Sequence, residues 1–187
     1  MATIIARRLK GDCREQANAL ADADDPATAR ALLQAGADAR HLAFEMRRAL
    51  LGLPPEPDTK LLTATGDEFQ RGAHPRFGTA NPERMDEPFW HAMVASGVCG
   101  WRATQKYRPR PEKEQPIWCA QRFGQSITFL PDGRIVQVAG EHEDSYDPDF
   151  CIYNDVFVHH PDARLEIFGY PENVFPPTDF HTATRVG

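Results

Sequence analysis

Apolar residues recur at helical spacing in the first part of the chain and at alternate positions in the last. The stretch "DDPATARALLQAGAD" offers Asp25 as an N-cap, Pro26 at the first helical position and Gly36 as a stop. Ala29, Leu32 and Leu33 fall on one face of that helix. Before it, Asp12 and Glu15 have capping-box spacing and predict a helix through "CREQANALADA". A third helix is expected after Asp38, carrying Leu42, Met46, Ala49, Leu50 and Leu53 and ending at Pro54, Pro55 and Pro57. Residues 54–85 show no sustained period and read as a long surface connection. Asp86, Glu87 and Pro88 then open another helix with Phe89, Trp90, Met93 and Val94 on its apolar face and Gly97 as its stop. "WRATQKY" reads as one more short helix, and "RPRPEKEQP" as a polar hinge over 108–116.

After Pro116 the period becomes two, the spacing of a half-buried strand. "IWCAQRF", the two arms of "QSITFLPDGRIVQVAG", the two arms of "CIYNDVFVHHPDARLEIFGY" and the tail "FHTATRVG" predict an antiparallel meander of five or six strands. The fold class is therefore α+β, an N-terminal helical segment followed by an antiparallel β meander. Three parts are expected: a helical segment over 1–57, a connecting region with one or two helices over 58–116, and a β segment over 117–187. Trp118, Phe123, Ile127, Phe129, Ile135, Val138, Ile152, Val156, Ile167 and Phe168 are expected to supply most of the buried strand face. Trp90, Trp101 and Trp118 read as core or interface anchors.

Two resemblances add to this. "ATARALLQAGADAR" resembles the second helix and turn of an ankyrin repeat, although no second copy follows at the repeat period. "RIVQVAG", "EHEDSYDPDF", "CIYNDVFVHHPD" and "LEIFGY" together resemble one blade of a kelch-type β-propeller. "FHTATRVG" would then open a second blade. On these segments the chain resembles an uncharacterised bacterial family with ankyrin-like and kelch-like parts. That resemblance implies no particular activity. One blade and the start of another do not close a ring.

Charge changes the picture most. The chain carries a formal net charge of −6, yet from Gly140 to Phe180 ten acids face one base, Arg164. Such a field disfavours nucleic acid and anionic lipid and favours a basic protein or a metal cation. Its densest stretch runs from Glu141 to Asp155. Glu141, Glu143, Asp144, Tyr146, Asp147 and Asp149 are the candidate partner-binding residues.

Other chemistry finds less support. The acidic spacing is not that of an EF-hand, and no H-E-x-x-H or C-x-x-C pair is present, so no metal ligands are assigned. There is no Gly-rich phosphate loop, nucleophile elbow or Cys–His signature, so no catalytic residue and no cofactor are assigned. Asn154 and Asp155 read as residues that bond nearby backbone and hold the register, while His159 and His160 precede a turn and read as exposed. The four scattered cysteines read as reduced thiols, and no stretch approaches a membrane span, so a cytoplasmic protein is expected. The leading expectation is a non-catalytic protein–protein interaction module, of the kind an acidic inhibitor or immunity-type protein provides for a basic partner. Exposed strand edges would give it a route to oligomerisation. The alternative is a metal-dependent enzyme or metal-binding protein using the acidic 141–155 loop.

Overall fold

The computed structural model describes residues 13–37, 39–107, 115–143, 150–184 and 186. The helical half begins with α1 (Cys13–Ala21) and α2 (Pro26–Gln34). Asp25 caps α2 as expected, its carboxylate accepting from the Ala27 and Thr28 backbone N–H groups at 2.9 Å each. The chain leaves the helix through Gly36 at φ +101°, a left-handed conformation that favours glycine. Asp12 and Asp38, the other two expected starts, lie outside the described residues. The third helix begins later than predicted: a 3₁₀ turn, Ala39–His41, precedes α3 (Phe44–Leu50). Leu20, Leu32, Leu33, Leu42, Met46 and Leu50 form one apolar cluster, which Ile135 of the sheet completes.

The region 54–85 holds more structure than its lack of period suggests. Thr65 opens α4 (Gly66–Gly72) with a complete capping box: Thr65 N donates to Glu68 Oε2 at 2.7 Å, and Glu68 N donates to Thr65 Oγ1 at 3.2 Å. A two-residue strand, β1 (Glu83–Arg84), follows. Next come α5 (Pro88–Ser96), stopped by left-handed Gly97 as predicted, and α6 (Gly100–Tyr107).

The strands are β2 (Ser126–Phe129), β3 (Ile135–His142), β4 (Cys151–His159) and β5 (Leu165–Gly169). They form one five-stranded antiparallel sheet in the order β1-β5-β4-β3-β2. The α+β class holds, with three corrections. "IWCAQRF" is not a strand: Trp118 N bonds Ala73 O beyond α4, and only Phe123 makes an isolated bridge, to Glu141. The described residues of "FHTATRVG" form no strand either. The fifth strand comes instead from the connecting region, through β1. Both edge strands are short, a device that blunts edge-to-edge pairing.

The described helices pack on one face of the sheet. Beside the N-terminal cluster, Phe69, Met85, Phe89, Trp90, Met93 and Trp118 pack on Tyr153, Phe157 and Ile167. The indoles of Trp90 and Trp118 stack with ring centroids 4.7 Å apart. Trp101, expected as an anchor, is 52% exposed.

The predicted strand face is inverted on β4. Its buried row is Tyr153, Asp155, Phe157 and His159, whereas Ile152, Val156 and Val158 are only half-buried. Of the ten expected core residues Trp118, Ile135 and Ile167 are fully buried, and Phe123 is 64% exposed. A bulge, in which Ala139 at φ +52° stands against both Asn154 and Asp155, shifts the β3–β4 register between Val138 and Gly140.

Candidate functional site

Two faces of one sheet carry different chemistry, and the strand register decides which residue joins which. On the face away from the helices, Val136 lies opposite Val158, Val138 opposite Val156, and Val156 opposite Phe168. None of these five is fully buried, and none belongs to either helix-covered cluster. Antiparallel sheets usually turn polar residues to the open side. This one turns valines outward.

Polar groups frame the patch. Along one side Arg84 reaches across from β1 to Glu166 at 3.0 Å, and Arg164 meets the same carboxylate at 3.1 Å. His160 also contacts Glu166, at 2.6 Å, so it is partly buried and not the exposed side chain expected. At the other end the C-terminal tail ties down at the bulge. Gly140 N donates to Thr178 O at 2.9 Å, and Thr178 N donates to Tyr153 O at 3.0 Å. Asn154 holds the same tail, donating to Tyr170 O at 2.9 Å and Phe175 O at 2.6 Å. Gly140 has φ +94°, and a Cβ there would come within 2.7 Å of Phe123 O. Only glycine fits this junction.

The carboxylates gather beside that junction. Glu141 sits opposite Ile152 at the end of the valine face, with Glu143 and Asp179 close enough to act on it. Partial desolvation, then the Asp179 carboxyl and Glu143, push Glu141 above the ordinary carboxylate range. None of the ion pairs among the described residues includes these three groups. Of the predicted partner-binding residues, Glu141 and Glu143 are thus placed together. Asp144, Tyr146, Asp147 and Asp149 lie outside the described residues. Asp179 and the valine face were missed by sequence reasoning. Alternation alone does not say which side of a sheet the helices choose.

The inward face contains an acid and a base that are wholly occupied. The Arg122 side chain is 0% exposed and pairs with Asp155 through both oxygens, the Nη2–Oδ2 contact at 2.9 Å. Trp118 Nε1 donates to Asp155 Oδ2 at 3.0 Å, and Arg122 Nε donates to Cys119 O at 2.8 Å. The guanidinium lies 3.5 Å from the Tyr153 ring centroid. Burial works against its charge, but the Asp155 carboxylate outweighs that penalty and raises the Arg122 pKa. Asp155 therefore bonds the Trp118 and Arg122 side chains and not the neighbouring backbone expected. This pair is a brace between the segment before β2 and the centre of the sheet.

Neighbouring groups are equally unsuited to proton or acyl transfer. Burial pushes the Cys151 thiol up to about 11, which removes the thiolate a nucleophile requires. His159 is buried, contrary to expectation, with Nε2 2.6 Å from Gln137 Oε1, and desolvation pushes its pKa down to about 4. Among the described residues no group of three or more His, Cys, Asp or Glu side chains can hold a metal ion. Cys99, Cys119 and Cys151 form no disulfide among the described residues. No helix among the described residues is long and apolar enough to cross a membrane. Searches against protein-family models, curated proteins and solved structures gave no match.

Proposed function

We propose that the protein is a non-catalytic protein-binding module acting in the cytoplasm, in the manner of an acidic inhibitor or immunity-type protein for a basic partner. The observation that carries this reading is the outward valine face ending in three carboxylates with no cation paired to them among the described residues. Val136, Val138, Val156, Val158 and Phe168 offer desolvation energy of about 25 cal/mol per Å² covered. Glu141, Glu143 and Asp179 select a partner that places Lys or Arg beside an apolar strip. The overall charge of −6 draws such a partner in from a distance. The buried Arg122–Asp155 pair then serves to keep the platform rigid.

A labelled peptide rich in lysine and leucine tests this by fluorescence anisotropy at low and high salt. The unmodified protein should bind it, and salt should weaken the binding. The triple variant Glu141→Gln, Glu143→Gln, Asp179→Asn should slow association about tenfold and flatten the salt dependence. Val136→Thr with Val158→Thr should weaken binding while leaving the salt slope unchanged. Binding that ignores both sets of substitutions would refute the proposal.

A further inference from the structure

A cavity of about 390 Å³ opens where all three parts of the chain meet. Arg30 of α2, the turn after α3, one side of α5 and the β4–β5 turn line it. Its apolar wall is Leu50, Leu53, Val94 and Leu165; its polar groups are Arg30, Arg164, His91, His159 and His160. No carboxylate is among the lining residues. The size falls within the range of small-ligand sites, which pair apolar walls with a few placed polar groups.

The two arginines differ in what they have left to offer. Arg164 is already engaged by Glu166 at 3.1 Å and by His160 Nδ1 at 2.9 Å. Arg30 meets only backbone carbonyls, Leu50 O at 2.9 Å and Gly133 O at 3.4 Å. Those two bonds aim its guanidinium from α2 across the end of α3, and they use two of its five N–H donors. Its charge has no counter-ion among the described residues. The imidazoles, neutral or cationic, cannot supply one, and His91 and His159 are both held below the usual histidine range, chiefly by burial. His159 is therefore uncharged at neutral pH, and its Nε2 is committed to Gln137. The cavity thus presents, among the described residues, the Arg30 cation without a counter-ion beside an apolar wall.

We infer that this cavity binds a small organic anion, an oxyanion group on an apolar body, with Arg30 holding the oxyanion and Leu50, Leu53, Val94 and Leu165 covering the body. A carboxylate and a phosphate monoester share this chemistry. The cavity shares Arg164 and His160 with the frame of the valine face, but Arg30 and the apolar wall belong to the cavity alone, so substitutions there separate ligand binding from partner binding.

Isothermal titration calorimetry on the full chain distinguishes the cases, with hexanoate, hexyl phosphate, inorganic phosphate and hexylammonium as probes. Saturable binding of hexanoate or hexyl phosphate is expected, and the tighter of the two identifies the oxyanion. Hexylammonium should not bind. Arg30→Met should weaken binding about tenfold or more, the worth of a charge-assisted hydrogen bond, and Arg30→Lys should restore part of it. Ala95→Phe, at an exposed helix position on the rim, fills space without altering charge and should weaken binding even if Arg30→Met proves unstable. The triple carboxylate variant should leave binding unchanged. The inference is overturned if neither hexanoate nor hexyl phosphate saturates, or if both bind Ala95→Phe as they bind the unmodified protein. Inorganic phosphate binding as tightly as hexyl phosphate would equally contradict it.

Discussion

The two rows of β4 are an instructive pair, because they alternate along one strand and share its backbone. The inward row, Tyr153, Asp155, Phe157 and His159, is the more polar in sequence and the more deeply buried. The outward row carries the half-buried aliphatics Ile152, Val156 and Val158, interrupted by Asn154, which is buried and bonded to the C-terminal tail. Burial of polar groups is tolerated where each finds a partner. Arg122 and Trp118 satisfy Asp155, and Gln137 satisfies His159. No helix among the described residues covers the outward row. One row consumes its chemistry in holding the fold, and the other leaves apolar surface for something else to cover.

Substitutions that treat the rows alike would break this contrast. The largest effect is expected from Asp155→Ala, which strands the buried Arg122 guanidinium and should lower stability by about 3–5 kcal/mol in urea unfolding. Val156→Thr, one residue away and facing outward, should cost less than about 1 kcal/mol. Equal losses would erase the distinction between the faces.

The next effect is one of pH. His159 has a folded pKa near 4 against an ordinary 6.5, so the unfolded chain binds its proton first as pH falls. The stability it contributes is present above pH 6.5 and is lost as pH drops toward 4, a span worth about 3 kcal/mol. His159→Asn keeps a polar group for Gln137 and should flatten stability between those two pH values. A smaller loss, about 1–3 kcal/mol, is expected for Gly140→Ala, which forces a left-handed backbone and a contact with Phe123 O. Loss of order in the 170–178 tail should accompany it.

Much of the architecture was legible because its signals are local. The Asp25–Pro26 start of α2, the Gly97 stop of α5 and the two hairpins from Ser126 to Gly169 depend on capping and turn chemistry within a few residues. The Thr65–Glu68 capping box is equally local, but no apolar period around it marks a helix start. What sequence could not supply is tertiary. β1 joins the sheet by pairing with β5, more than eighty residues later in the chain. "IWCAQRF" has the alternation of a strand, yet Trp118 spends its backbone N–H on Ala73 O and its side chain on Trp90 and Asp155. The β4 inversion has the same origin: Asp155 and His159 look like surface residues until their partners are known. At the candidate site, the acidity of Glu141 and Glu143 was readable, whereas the arrival of Asp179 from the tail and the exposure of the valines required the fold.

Methyl NMR on valine- and isoleucine-labelled protein, titrated with the lysine- and leucine-rich peptide, tests the central claim most directly. The methyls of Val136, Val138, Val156 and Val158 should shift on binding, while those of Ile135 and Ile167 under the helices should stay in place. Shifts at Ile135 and Ile167 with the four valines unmoved would contradict the division of labour between the two faces.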